Sequence, residues 1–442
     1  MSEASRAAVR EIFLQALGES SIEKAMAQHV GYERGVLRIG DDLHDLAGYS
    51  RVLAVSFGKA GHRMAQALAR QTGTMIGGTM PGGIICDPNL HLSSHQLPGY
   101  RYFAGGHPQP NEESVRGAEA ILKSLSALNP QALVIFMISG GGSSVVEKPA
   151  DSEIVLPDLI ATYKTLVHSG APIAEINAVR KHLSATKGGR MARAAQGVQQ
   201  VSILVSDVPE NALDSLASGP TMPDSTTVDD CYRIVNHYRM LADFPASTRE
   251  LFERRALEET PKQGDPAFAR SRWWTVLSNA TAEKAAAEAA AARGFTVEID
   301  HSCDDWDYAR AADYLLDRLR ALAREVPRAC IISGGEVTVK VPSGSSGIGG
   351  RNQHFALYCA EKIAGENITV LSAGTDGIDG NSPAAGAVVD GTSIKRAQDL
   401  WINPGETLQK FDAFPLFEEL GDAIRTGPTG NNVRDLRLLL AE

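Results

Sequence analysis

Three residues stand where small-anion chemistry would need them. Lys59 lies in Gly58-Lys59-Ala60-Gly61, directly after the apolar run Val52-Leu53-Ala54-Val55-Ser56-Phe57. A cation there is held close to backbone, although a solvated loop lysine would read the same way. Asp207 follows the apolar run Val201-Ser202-Ile203-Leu204-Val205, and Pro209 stiffens the turn after it. An aspartate so placed can orient a substrate hydroxyl, help hold Mg²⁺, or merely cap the next helix. Arg351 closes the polar loop Gly344-Ser345-Ser346-Gly347-Ile348-Gly349-Gly350. Its planar guanidinium suits carboxylate or phosphoryl oxygens bidentately, with a surface arginine as the plain alternative.

The segment Ser139-Gly140-Gly141-Gly142-Ser143-Ser144 is the clearest phosphate cradle. Glycines let backbone approach an anion, their amides converge on it, and a following helix adds its positive end. A tight strand-to-helix turn needs fewer glycines than this. No G-x-x-x-x-G-K-[ST] and no G-x-G-x-x-G occurs, which disfavours a Walker-type NTPase and a nicotinamide dehydrogenase of the usual Rossmann type. Glu336, Asp376 and Asp379 are candidate metal ligands, though Asp- and Gly-rich turns often serve structure alone. Residues 177–190 gather Arg180, Lys181, His182, Lys187 and Arg190, so Asn177, Arg180 and Lys187 are candidate substrate contacts. A solvated basic helix face explains them nearly as well. His107, in Gly105-Gly106-His107-Pro108, is a further candidate at a strand end.

Continuous apolar runs that end in these polar turns and alternate with helical stretches predict buried parallel strands in α/β layers. The runs recur at Gly83-Ile84-Ile85-Cys86, at residues 133–138, at Cys330-Ile331-Ile332 and at Ile368-Thr369-Val370-Leu371. In such sheets ligands sit beyond the carboxyl ends of the strands, which is where the glycine-rich turns fall. The 442-residue length favours two domains. The charge-rich stretch 242–273 puts the boundary near 250, giving 1–250 and 251–442, with the extreme C-terminus able to pack back on the first domain.

With 43 Lys+Arg against 53 Asp+Glu, the chain carries a formal charge of −10, which disfavours nucleic acid or anionic membrane as partner. The five cysteines are widely spaced and form no C-x-x-C pair, so neither disulfides nor a zinc site is expected. No bilayer-length apolar run occurs, and a cytoplasmic location is the expectation.

Taken in order, residues 56–61, 105–110, 139–144, 177–189, 206–209, 216–223, 333–337, 349–353, 374–380, 384–391 and 426–430 resemble the glycerate 2-kinase family, whose C-terminal part is the MOFRL domain. The resemblance implies a Rossmann-like N-terminal domain, a smaller α/β C-terminal domain and an active site in the cleft between them. It also implies transfer of the ATP γ-phosphoryl group to the 2-hydroxyl of D-glycerate, with Mg²⁺; a monomer or homodimer is the expectation for assembly. The family's functional lysine, aspartate and arginine fall on Lys59, Asp207 and Arg351. Where the family often continues Ser-Asp-x-Pro with Gly-Asp, this chain has Glu210-Asn211-Ala212. Members are also often labelled hydroxypyruvate reductases, and an NAD(P)H-dependent hydroxypyruvate reductase is the alternative activity.

Overall fold

The computed structural model describes residues 2–73, 82–90, 96–342 and 344–442. The chain forms two compact units, one of Ile22–Val276 and one joining Met1–Ser21 to Leu277–Glu442.

The Ile22–Val276 unit opens with a small antiparallel sheet of β1 (Val30–Glu33), β2 (Val36–Ile39) and β3 (Asp42–Asp45). Its main sheet contains β4 (Arg51–Phe57), β5 (Gly83–Cys86), β6 (Tyr100–Phe103), β7 (Ala132–Ser139), β8 (Gln199–Val205) and β9 (Ser271–Leu277), in the order β6-β5-β4-β7-β8-β9. The four pairings from β6 to β8 are parallel. All eight residues of β7 are buried, as its uninterrupted apolar run requires of a strand covered on both faces.

Register then sets the site. Phe57 of β4 pairs with Ile138 of β7, and Ser139 pairs with Val205 of β8, so three neighbouring strands end level. Chain order runs outward from β4 through β5 to β6, and on the other side through β7 to β8, making the β4/β7 boundary a topological switch point. The turns bearing Lys59, Gly140 and Asp207 all leave this edge.

The second unit is also α/β, but its sheet is mixed. Its strands β10 (Thr296–Ile299), β11 (Ala329–Gly335), β12 (Ile368–Gly374), β13 (Gly386–Asp390), β14 (Ala423–Ile424) and β15 (Asp435–Ala441) lie in the order β10-β11-β15-β12-β13-β14. Only β10–β11 is parallel among these pairings. The expectation of parallel neighbours at Cys330 and Ile368 is corrected here: β15 inserts between β11 and β12 and runs antiparallel to both. Side chains alternate across the sheet. Cys330, Ile332, Leu438 and Leu440 face one core with the helices Ser2–Glu19 and Asn279–Ala291. Ile331, Leu439 and Ala441 face another with the helices Tyr308–Ala323 and Arg351–Lys362.

The units therefore divide away from residue 250. Residues 251–276 stay with the first unit because Leu251 and Phe252 enter its helical core and β9 completes its sheet. The first helix joins the second unit because Val9, Ile12, Phe13 and Ala16 pack on the alanine face of Asn279–Ala291. The chain's last strand, β15, is central to the second sheet. All five cysteines are buried thiols. Among the described residues no helix is long and apolar enough to cross a membrane.

Candidate functional site

At the level ends of β4, β7 and β8, close packing explains the glycines. The Lys59 N–H donates to Gly140 O at 2.9 Å, and the Ala60 N–H donates to Ser139 Oγ at 3.1 Å, so the two turns are laced together. A Cβ at Gly140 would overlap the Asp207 carboxylate. At Gly141, which needs its φ of +79°, a Cβ would lie 2.9 Å from His107 Cδ2 and 3.0 Å from Lys59 Cγ. The missing side chains are thus what lets Lys59, His107 and Asp207 close around one short stretch of backbone. Lys59 and His107 are exposed and Asp207 half-buried. Partial burial, then the Lys59 charge, lowers the His107 pKa.

The same loop continues into a second feature. Ser143, whose hydroxyl meets Ser218 Oγ at 2.7 Å, lines a pocket of about 360 Å³ with Pro108, Tyr163, Arg180 and Lys187. Lys187 is fully buried, and its ammonium pairs with Glu147, which is also fully buried. Burial lowers the Lys187 pKa, against the pull of the Glu147 carboxylate. Glu147 also accepts from Tyr163 Oη at 2.8 Å and Ser184 Oγ at 2.6 Å. Arg180 stacks on Tyr163, its Cζ 4.9 Å from the ring centre. Asn177 is half-buried one turn earlier on the same helix, Ile173–Leu183, and does not line the pocket.

The basic segment is not the solvated face that the sequence allowed. Lys181 is buried between Asp214 and Asp224, at 3.1 Å from each, and His182 Nε2 lies 2.9 Å from Glu259. Both side chains serve the fold.

In the second unit Arg351 gathers with the acidic candidates. Its Nε and Nη2 bond Asp435 at 2.5 and 3.1 Å, and Nη2 reaches Glu336 at 2.7 Å. Burial works against this guanidinium's charge, but Asp435, Glu336 and Asp379 outweigh it and raise the pKa. The forked bidentate grip foreseen for a ligand is made here on Asp435. Asp379 is buried and accepts from the Asn352 N–H at 3.1 Å and the Gln353 N–H at 2.8 Å, capping the helix Arg351–Lys362. Both of its oxygens also take side-chain amides, from Asn352 and Gln353, so the carboxylate expected to bind metal holds the helix start instead. Asp376 accepts from the Ile378 N–H at 3.1 Å and lines, with Arg351 and Asp379, a cavity of about 670 Å³. His354 also lines it, stacked on Phe411, and burial lowers its pKa to about 4. Among the described residues no group of three or more His, Cys, Asp or Glu side chains is arranged to hold a metal ion.

The comparisons with known proteins agree along the chain. A family described as a domain of unknown function (DUF4147) matches residues 8–253, and the MOFRL family matches residues 329–435. The D-glycerate 2-kinase of Thermotoga maritima is 34% identical over 400 residues, covering 87% of this chain and 89% of its own. The chain belongs to the glycerate 2-kinase family. Within it, the glycerate 2-kinase of Pyrococcus horikoshii is 32% identical, over 97% of this chain and 96% of its own. The crystal structure of the Thermotoga maritima glycerate kinase superposes with a TM-score of 0.85 at 31% identity, over 100% of both chains. An Agrobacterium vitis relative, 36% identical over 88% of this chain and 87% of its own, is named provisionally as a hydroxypyruvate reductase.

Glu147, Tyr163 and Asp435 were not among the sequence candidates. Glu147 carries one faint signal, a lone acid between Val145-Val146 and Lys148 directly after the glycine loop. Tyr163 and Asp435 carry none, because what matters about them is who meets them in space.

Proposed function

We propose that this chain is an ATP-dependent D-glycerate 2-kinase, transferring the γ-phosphoryl group to the 2-hydroxyl and releasing 2-phosphoglycerate and ADP. The observation that carries this reading is the closure of Lys59, His107 and Asp207 around Gly140 and Gly141 at a topological switch point. Relatives named D-glycerate 2-kinase and glycerate 2-kinase support it.

Phosphoryl transfer asks for positioning and charge neutralisation rather than covalent chemistry, and this inventory matches that demand. The amides from Gly140 to Ser144 are assigned to the nucleotide phosphates. Lys59, whose charge is exposed at the loop, is assigned to the developing charge on the transferred group. Asp207 orients the acceptor hydroxyl and takes its proton. His107, Asn177, Arg180 and Lys187 belong to the acceptor side in this reading. Arg351 is assigned to phosphoryl oxygens within its own unit, through guanidinium N–H groups that Asp435 and Glu336 leave over.

Mg²⁺ bound with ATP would supply neutralisation of the phosphate oxygens, and it needs only one or two protein carboxylates beside them. Asp207, beside the Gly140 turn, is the carboxylate of the first unit that would meet this requirement, and Glu336 and Asp376 are the candidates of the second unit. The missing dinucleotide fingerprint counts against a reductase.

The test is purified protein with ATP, Mg²⁺ and D-glycerate followed by ³¹P NMR, beside hydroxypyruvate with NADH followed optically. Stoichiometric ADP and 2-phosphoglycerate are expected. Sustained NADH oxidation with no ADP would overturn the assignment.

A further inference from the structure

The pocket beside Ser143 has an unbalanced charge. The buried Glu147 carboxylate pairs directly with Lys187 and acts on Arg180 only through space, so two cations share one negative charge and one positive charge is left over. Among the described residues no carboxylate comes within ion-pair distance of Arg180, and its Nε is buried without a hydrogen-bond partner. Lys164 adds a second cation to the lining, and no acidic residue lines the pocket. In a chain with a formal charge of −10, a partly buried cluster with a surplus positive charge of this kind calls for an anionic ligand.

The guanidinium is also held in place. Tyr163 provides the ring on which it stacks, and Tyr163 is fixed in turn by its bond to Glu147. Burial, reinforced by Glu147, keeps the phenol protonated, so it remains the donor in that bond. Pro108 and, from the helix Leu156–His168 that also carries Tyr163 and Lys164, Ile160 and Val167 add apolar surface to the lining. A volume of about 360 Å³ suits a small acid better than a nucleoside triphosphate.

Building on the kinase reading, we propose that Arg180 anchors the carboxylate of a small 2-hydroxy acid, with Tyr163 and Glu147 as positioning residues and the acid's carbon chain against Pro108, Ile160 and Val167. Bidentate guanidinium–carboxylate pairing discriminates an acid from its neutral amide.

Calorimetric binding of D-glycerate and of its neutral amide to the full chain tests this. The wild type should favour the acid on the order of 10²-fold, and Arg180→Met should erase most of that preference while melting temperature and ATP binding hold. Tyr163→Phe keeps the ring and loses the bond to Glu147. It should raise KM for D-glycerate several-fold with kcat unchanged. If Arg180→Met does not fold, phenylglyoxal labelling of the wild type reads the same contact. D-glycerate should protect Arg180 from modification, and unchanged labelling would overturn the proposal. An Arg180→Met protein that still prefers the acid would also overturn it, even while wild type forms ADP. Conversely, Arg180-dependent binding of D-glycerate without ADP formation would leave this pocket standing and remove the kinase reading.

Discussion

Arg180 and Arg351 are both half-buried guanidiniums lining cavities, one in each unit, and their surroundings are opposite. Arg180 shares its pocket with Lys164 and Lys187, and the one carboxylate that acts on it, Glu147, is paired with Lys187, whereas Arg351 is bound by Asp435 and Glu336 with Asp379 nearby. The first presents positive charge to an incoming ligand. The second neutralises a carboxylate cluster and has only part of its fork left. An arginine beside a glycine-rich loop thus says little about anion binding until its counter-charges are known.

The largest expected effect comes from upsetting the balance behind Arg180. Glu147→Ala leaves the buried Lys187 amine without its partner, so unfolding free energy should fall by about 3–5 kcal/mol. Urea melts measure it, and a loss under about 1 kcal/mol would show that the interior pair contributes little.

On the acidic side, Asp379 has its pKa raised by burial from an ordinary 3.8 to about 6, against the hydrogen bonds it accepts. The folded state therefore disfavours its charged form. Its contribution is fully present below 3.8 and lost as pH rises through about 6. The stability difference between wild type and Asp379→Asn should fall by on the order of 3 kcal/mol across that window. A difference that is flat or rises with pH would contradict the burial argument.

Arg351→Lys keeps a charge and loses the fork on Asp435. Loss of kcat/KM on the order of 10²-fold is expected, approaching that of Arg351→Ala. Activity near wild type would make Arg351 purely a partner of Asp435.

The legible parts were local. Apolar runs ending in polar turns, glycine-rich after β4 and β7 and proline-stiffened after β5 and β8, marked these strands and the edge where the candidate residues gather, because strand and turn are consecutive residues. What escaped depends on distant pairing. Asp435 meets Arg351 across 84 positions, and Glu147 meets Lys187 across 40. The insertion of β15 between β11 and β12, and the docking of the first helix on Asn279–Ala291, join segments that carry no mutual signal in one sequence. Within the basic stretch 177–190, composition could not separate Lys181, buried between Asp214 and Asp224, from Arg180, which lines a pocket.

The central claim is that Lys59 and Asp207 carry phosphoryl transfer at the Gly140 turn, and single-turnover kinetics of their variants test it most directly. Asp207→Asn should lower the chemical step by about 10²–10⁴-fold while ATP titrates as in wild type. Lys59→Met should also cut kcat severely with an unchanged melting temperature, because an exposed loop lysine supports little packing. If Asp207→Asn turned over normally and Lys59→Met merely unfolded, both residues would be structural and the catalytic centre would lie elsewhere.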